Sequence, residues 1–328
     1  YKVKKNIYIS PEEALTKTVI DVTPGKKSGL GWEADNETVK YYTDEFTATA
    51  VLSEPSLWPE YSDLFTTPAF GENRAEHQFT TQAEMEAFLA KLDGADDNMY
   101  VYSAGTSGRG QNMPIVVFTK LDLTGKTLEE AAALIVADSE KNGKVTVHYQ
   151  AQIHGYETAS GEGAMAMIQR LDGSYGAGLL DKMNIYVIPR LNPDGAYSNQ
   201  RTIPTASVDP NRDYMNLQSY EVGRQIYVMN LFNPEVVVDG HEYTVDLDTT
   251  ILALMDVKIH SERSAYATDD LVKQADNVAF ALFDNMKAND LTYGWYNHYV
   301  TGTSSNIGTS YFMQRGSISV LLESHGIH

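Results

Sequence analysis

Short runs of Val, Ile and Leu recur from about residue 80 to the end of the chain, separated by segments of helical period. The spacing predicts helices over 80–92, 127–141, 160–171, 217–232 and 269–288. Between them, "MYVYSA" and "PIVVFTK" flank the Gly-rich turn "GTSGRGQN", and further strands are expected at 144–153, 184–190, 235–240 and 317–323. Strands apolar on both sides and spaced by helices form a sheet covered on both faces. The fold class expected is therefore α/β, one domain over residues 79–328 with a mixed, mostly parallel sheet and helices on both faces. Residues 1–78 are rich in Thr, Tyr, Glu and Pro and weakly periodic. They are expected to be an N-terminal extension packed on that domain.

Composition narrows the chemistry. The 328 residues are 42% hydrophobic, enough for a sizeable core. The formal charge is −19 and no basic face for phosphates is visible, so nucleic acid is not an expected partner. With no cysteine, thiolate metal sites, Cys nucleophiles and disulfides are excluded. No apolar run reaches the roughly 18 residues of a membrane helix, so no membrane span is expected. The chain starts at Tyr1, not Met. A periplasmic or extracellular location, with an export signal removed, is the expectation.

In a covered sheet of this kind, chemistry gathers at the C-terminal ends of the strands. His154 follows the strand at 144–153, Asn192 and Asp194 follow 184–190, His241 follows 235–240, and Glu323 ends 317–323. His154 and Glu157 stand three apart in "QIHGYE", with Gly155 expected to let the chain turn sharply. A zinc hydrolase takes three protein ligands and leaves a position for water. His154, Glu157 and His241 make such a set, and imidazole with carboxylate suits zinc. An isolated H-x-x-E is weak on its own. His77, His148, His260 and His298 lack supporting context.

The order of the other motifs adds what the triad lacks. "SAGTSGRGQNMPIVVFTK", "QIHGYE", "PRLNPDGA", "VDPNRDY", "VVVDGHEY" and "SISVLLES" together resemble the M14 zinc carboxypeptidases, over roughly residues 80–323. The resemblance implies a peptide hydrolase with one Zn²⁺ per chain, held by His154, Glu157 and His241. It implies a metal-activated water with Glu323 as general base, and Asp209 orienting a ligand histidine. Asn211 and Arg212 match the pair that holds the free C-terminal carboxylate of a peptide substrate, Arg by its planar fork. Arg201 is the candidate for oxyanion stabilisation. Tyr299 resembles the tyrosine that closes over substrate, with Tyr296 a nearby rival. "NPDG" reads as an architectural turn, and Asp239 and Glu242 as supporting residues rather than ligands.

The chain departs from the family in places. Asp213 stands where asparagine is common, which would put an extra negative charge beside the carboxylate pocket. The chain ends five residues past Glu323, where family members usually continue with a helix. "TGTSSNIGTSYFMQRG", before the final strand, has no acidic residue. A neutral or aromatic C-terminal residue is therefore expected over Lys or Arg, and a cell-wall peptide stays open as a substrate. Two alternatives remain: a zinc-dependent N-acyl amino acid deacylase of related fold, and a non-catalytic binding module. Loss of Glu323 or a ligand would mark the module, and neither is lost.

Overall fold

The computed structural model describes residues 19–22, 27–28, 31–32, 39–42, 67–70, 79–93, 98–243, 257–261, 267–288, 293–295 and 305–325. The extension expected over 1–78 therefore lies mostly outside the described residues. What is described there includes a strand pair, Val19–Val22 with Val39–Tyr42, and a 3-10 turn at Pro68–Phe70.

In chain order the main elements are α1 (Gln82–Leu92), β1 (Met99–Thr106), β2 (Asn112–Phe118), α2 (Leu128–Asn142), β3 (Val145–Ala151), α3 (Thr158–Leu171), α4 (Ser174–Leu179) and β4 (Met183–Ile188). There follow α5 (Pro193–Ser198), α6 (Tyr220–Phe232), β5 (Val236–Tyr243), β6 (Val257–Ser261), α7 (Asp269–Ala288), β7 (Tyr293–Trp295), α8 (Gly308–Gln314) and β8 (Ile318–His325). The eight strands form one sheet in the order β7-β6-β8-β5-β3-β4-β2-β1. Its centre, β8-β5-β3-β4, is parallel, and β2 and β1 add antiparallel at one edge. The mixed sheet with helices on both faces is the architecture expected from the sequence.

Alternation explains why both faces are covered. In β2, Ile115 and Val117 join one core with α2 and α6, while Val116 and Phe118 join the other with α1 and α3. In β4, Tyr186 and Ile188 take the first side, and Ile185 and Val187 the second. Helix α7 packs Ala279, Phe283 and Met286 near Val320 of β8. Thr81 and Thr127 open α1 and α2 with reciprocal capping boxes to Glu84 and Glu130.

Three local expectations change. "NPDG" is the first turn of α5, capped by the Asn192 side chain, which accepts from Gly195 N. Strand β3 ends at Ala151 because Gln152 takes a left-handed backbone, φ 51°. Strands β5 and β8 run on to Tyr243 and His325, so His241 and Glu323 lie within strands.

Helix α5 is tied to the turn between β1 and β2 by one buried carboxylate. Asp194 accepts from Ser107 Oγ at 2.6 Å, Arg109 N at 2.9 Å and Gln111 Nε2 at 3.1 Å. An amide there turns a donor toward donors and leaves them unpaired. Asp194→Asn is expected to lower the free energy of unfolding by about 3 kcal/mol, read by denaturant melts. An unchanged midpoint would mean that water replaces these bonds at no cost.

Candidate metal centre

The loop after β3 carries two of the three expected ligands, and backbone packing shapes it. Gly155 is not in the left-handed region. It is required because a Cβ would meet Gly195 C at 2.0 Å and Ala196 N at 2.2 Å, the backbone of α5. The chain does turn here, with Glu157 N donating to His154 O at 3.1 Å, and close approach to α5 is what keeps a Cβ out of the turn. Gln152, the residue with positive φ, is held on all sides. Its N–H donates to Ser160 Oγ, its Nε2 to Gly155 O, and its Oε1 accepts from the buried Arg190. Arg190 also donates to Thr80 O at 2.7 Å, anchoring the loop to the start of α1. Burial lowers the Arg190 guanidinium to about 10.

Glu157 is the N-cap position of α3, yet its side chain does not cap the helix. Glu242 supplies the anion instead, accepting from Ala159 N at 2.6 Å. The Glu157 carboxylate is thereby left to face the two imidazoles. His154 Nδ1 lies 2.5 Å from Glu157 Oε1, and His241 Nδ1 lies 2.9 Å from Glu157 Oε2. The three side chains are buried, and one ligand atom from each lies within 4.8 Å of the others. Burial raises the Glu157 carboxyl, but His241 and His154 outweigh it and hold it at about 2. Burial lowers His241, but Asp239 and Glu157 together raise it well above its usual value.

The far nitrogens also have partners. His154 Nε2 lies 3.2 Å from Asp209 Oδ1, and His241 Nε2 lies 3.2 Å from Asp239 Oδ2. Both Nδ1 atoms are thus left facing the same carboxylate. An imidazole, carboxylate, imidazole set converging in a buried spot fits a divalent cation of the zinc type.

Glu323 sits beside this group. It is the registered neighbour of His241 on the parallel strands β8 and β5. Burial raises its carboxyl to about 7; His241 works against that rise and Glu157 adds to it. Arg201 donates to Asp209 Oδ2 at 3.0 Å and to Tyr156 Oη at 3.1 Å, and its Nη1 lies 3.9 Å from Glu157 Oε1. Asp209 is pushed up by burial, but His154 and Arg201 hold it well below the usual carboxylate range.

Asn211 and Arg212 lie on a 3-10 turn (Pro210–Arg212) whose N-cap is Asp209. Asn211 is buried; its Nδ2 is 3.5 Å from His241 Nε2, and its Oδ1 accepts from Gly308 N. Arg212 is exposed and bonds Asn211 O at 2.7 Å. Asp213 is not an open charge beside a pocket. It is buried and accepts from Gln218 N, Ser219 N and Ser219 Oγ, tying off the approach to α6. Tyr299, Tyr296, His77 and His298 lie outside the described residues. Sequence reasoning missed Gln152, Tyr156 and Arg190. "PR" before "LNPDG" was the only signal for Arg190, and it does not distinguish a buried anchor from a surface cation.

Residues 85–228 match the family model described as zinc carboxypeptidase. Carboxypeptidase 2 of Trichophyton rubrum is 29% identical over 168 residues, 50% of this chain and 29% of that protein. The match thus spans under a third of the length of such curated relatives. A metallo-carboxypeptidase from Burkholderia cenocepacia has a similar structure, with a TM-score of 0.56 and 19% identity over 75% of this chain and 60% of that one. Carboxypeptidase A from Helicoverpa armigera gives a TM-score of 0.58 at 14% identity over 88% and 75%. At these identities the two structures show a shared fold.

The packing at Gly155 is open to direct test. Gly155→Ala forces a methyl into the α5 backbone, which has no flexible side chain to yield. The expected loss is about 3 kcal/mol in unfolding free energy, read by chemical denaturation. A variant as stable as the parent would mean that the loop and α5 separate freely.

Proposed function

We infer that this chain, which belongs to the zinc carboxypeptidase family across residues 85–228, is a metallocarboxypeptidase that removes the C-terminal residue of peptides. What carries the reading is the buried His154, Glu157 and His241 group with Glu323 next to it on the adjoining strand. These three residues would hold one Zn²⁺. When bound, the ion supplies a Lewis acid that polarises a water and the scissile carbonyl.

The chain's own groups do the rest. Glu323 accepts the water's proton and passes it to the leaving amine. Arg201, at the rim beside Glu157, faces the charge that develops on the carbonyl oxygen. Asp209 orients His154 while pairing with Arg201, so one carboxylate sets the positions of two working groups. Arg212 presents its guanidinium to solvent and receives the free carboxylate of the substrate. Asn211, buried beneath it between His241 and Gly308, assists and fixes the turn. Tyr299 is kept as a substrate-binding residue. A neutral or aromatic C-terminal residue is the expected substrate class.

The first experiment measures metal content and release of the C-terminal amino acid from N-blocked dipeptides, with and without chelator. About one zinc per chain and chelator-sensitive release are expected. Bound zinc with release only from N-acyl amino acids would replace the peptidase by a deacylase. Absence of both metal and turnover would leave a binding module.

Two substitutions test the roles. Glu323→Gln is expected to keep its zinc and lose on the order of 10² to 10⁴-fold in kcat; near-parental turnover would remove Glu323 as the base. Arg212→Ala is expected to lose about 100-fold in kcat/KM on substrates with a free carboxylate, and far less on C-terminally amidated ones. Equal losses on both would argue against C-terminal recognition.

A further inference from the structure

Each of the two histidines has an aspartate 3.2 Å from its Nε2, but the two aspartates differ. Asp209 is 24% exposed and shares its charge with Arg201. Asp239 is 0% exposed, and among the described residues no Lys or Arg forms an ion pair with it. Its Oδ2 lies 3.2 Å from His241 Nε2, and its Oδ1 accepts from Gln150 Nε2 at 2.6 Å. Strand geometry places it there. Asp239 and His241 are two apart on β5 and so share a face, and Gln150 is the registered partner of Asp239 on β3.

The contacts continue away from the site. Gln150 Nε2 also donates to Tyr214 Oη at 3.3 Å, and Tyr214 Oη donates to Gln225 Oε1 on α6 at 2.6 Å. A buried carboxylate is costly unless something positive or donating faces it. Here the facing groups are the Gln150 amide and the His241 ring. Asp239 Oδ2 is buried and makes no well-formed hydrogen bond among the described residues, and the ring nitrogen nearest it is His241 Nε2; a proton there meets that charge and leaves the lone pair on Nδ1, the atom turned toward Glu157.

We propose that Asp239 is a positioning residue that fixes the tautomer and ring direction of His241, and that Gln150 and Tyr214 fix Asp239 in turn. The consequence is tighter binding of a divalent cation by the His154, Glu157 and His241 group. This rests on the zinc reading given above. Asp239 does not touch the reacting atoms; it acts through His241.

The test measures the zinc dissociation constant of the full chain by competition with a chromophoric chelator. The variants are Asp239→Asn and Gln150→Met, with melting of each metal-free protein as the structural readout. Asp239→Asn is expected to weaken zinc by about 10- to 100-fold, and Gln150→Met by a smaller factor in the same direction. Metal-free melting temperatures should stay near the parent's, and the visible spectrum of the cobalt-loaded Asp239→Asn protein should shift. Zinc affinity within about twofold of the parent in Asp239→Asn overturns the proposal. So does a loss that only follows a fall in metal-free stability, with an unchanged cobalt spectrum. If Asp239→Asn does not fold, Gln150→Met decides, and an unchanged dissociation constant overturns the proposal. A parent that takes up no zinc overturns the zinc reading itself, which separates that failure from this one.

Discussion

Glu157 places a carboxylate that is 3% exposed between two imidazole rings, and the surrounding elements are arranged so that this charge stays paired. An uncompensated carboxylate at such depth would ionise poorly and destabilise the fold. The pairing is possible only if the loop after β3 delivers His154 and Glu157 together, and if β5 brings His241 alongside. The loop can do so because Gly155 lies against the bare backbone of α5. Gln152 is pinned in its left-handed conformation by Ser160, Gly155 and Arg190. Hydrogen bonds and backbone packing thus hold the geometry that a metal group would need.

An acidic chain that buries carboxylates must give them partners, and six carboxylates around the site sort into two kinds by the partners they have. Asp194, Asp213 and Glu242 face backbone N–H groups, hydroxyls or an amide at turns and helix starts. They hold elements together, and their charge is spent. Glu157, Asp209 and Asp239 face imidazoles. Each of these carboxylates favours positive charge on the ring it faces, so its own charge stays coupled to whatever that ring binds.

Much of this was legible in the sequence, for physical reasons that can be named. The central strands and the flanking helices follow from Val and Ile runs set against helical periods, because both faces of the sheet are buried. His154, Glu157 and His241 are brought together as the strand order requires. Other features were not legible. "NPDG" suits a turn and a capped first helical turn equally well, and the Asn192 cap with α5 behind it decides between them. Asp213 reads as a free charge from sequence, because its partners Gln218 and Ser219 engage it only once the chain folds back toward α6. Gly155 reads only as a turn residue from sequence, because the Gly195 and Ala196 backbone that excludes a Cβ is brought against it only by the fold. The short strands β6 and β7 and helix α8 carry too few residues for a period to emerge.

The protonation state of Glu323 depends on its neighbours. Buried beside His241 on the adjoining strand, it holds a proton up to about 7, chiefly through burial, with Glu157 adding to the effect. A carboxyl that stays protonated is a poor base. Positive charge at the His154, Glu157 and His241 group favours the ionised form. A cation held there would therefore also favour the ionised carboxylate that the proposed role of Glu323 requires. Metal binding and ionisation of Glu323 would then be linked through one buried cluster. The linkage needs Glu323 to be dry and close, and the register of β8 on β5 places it there.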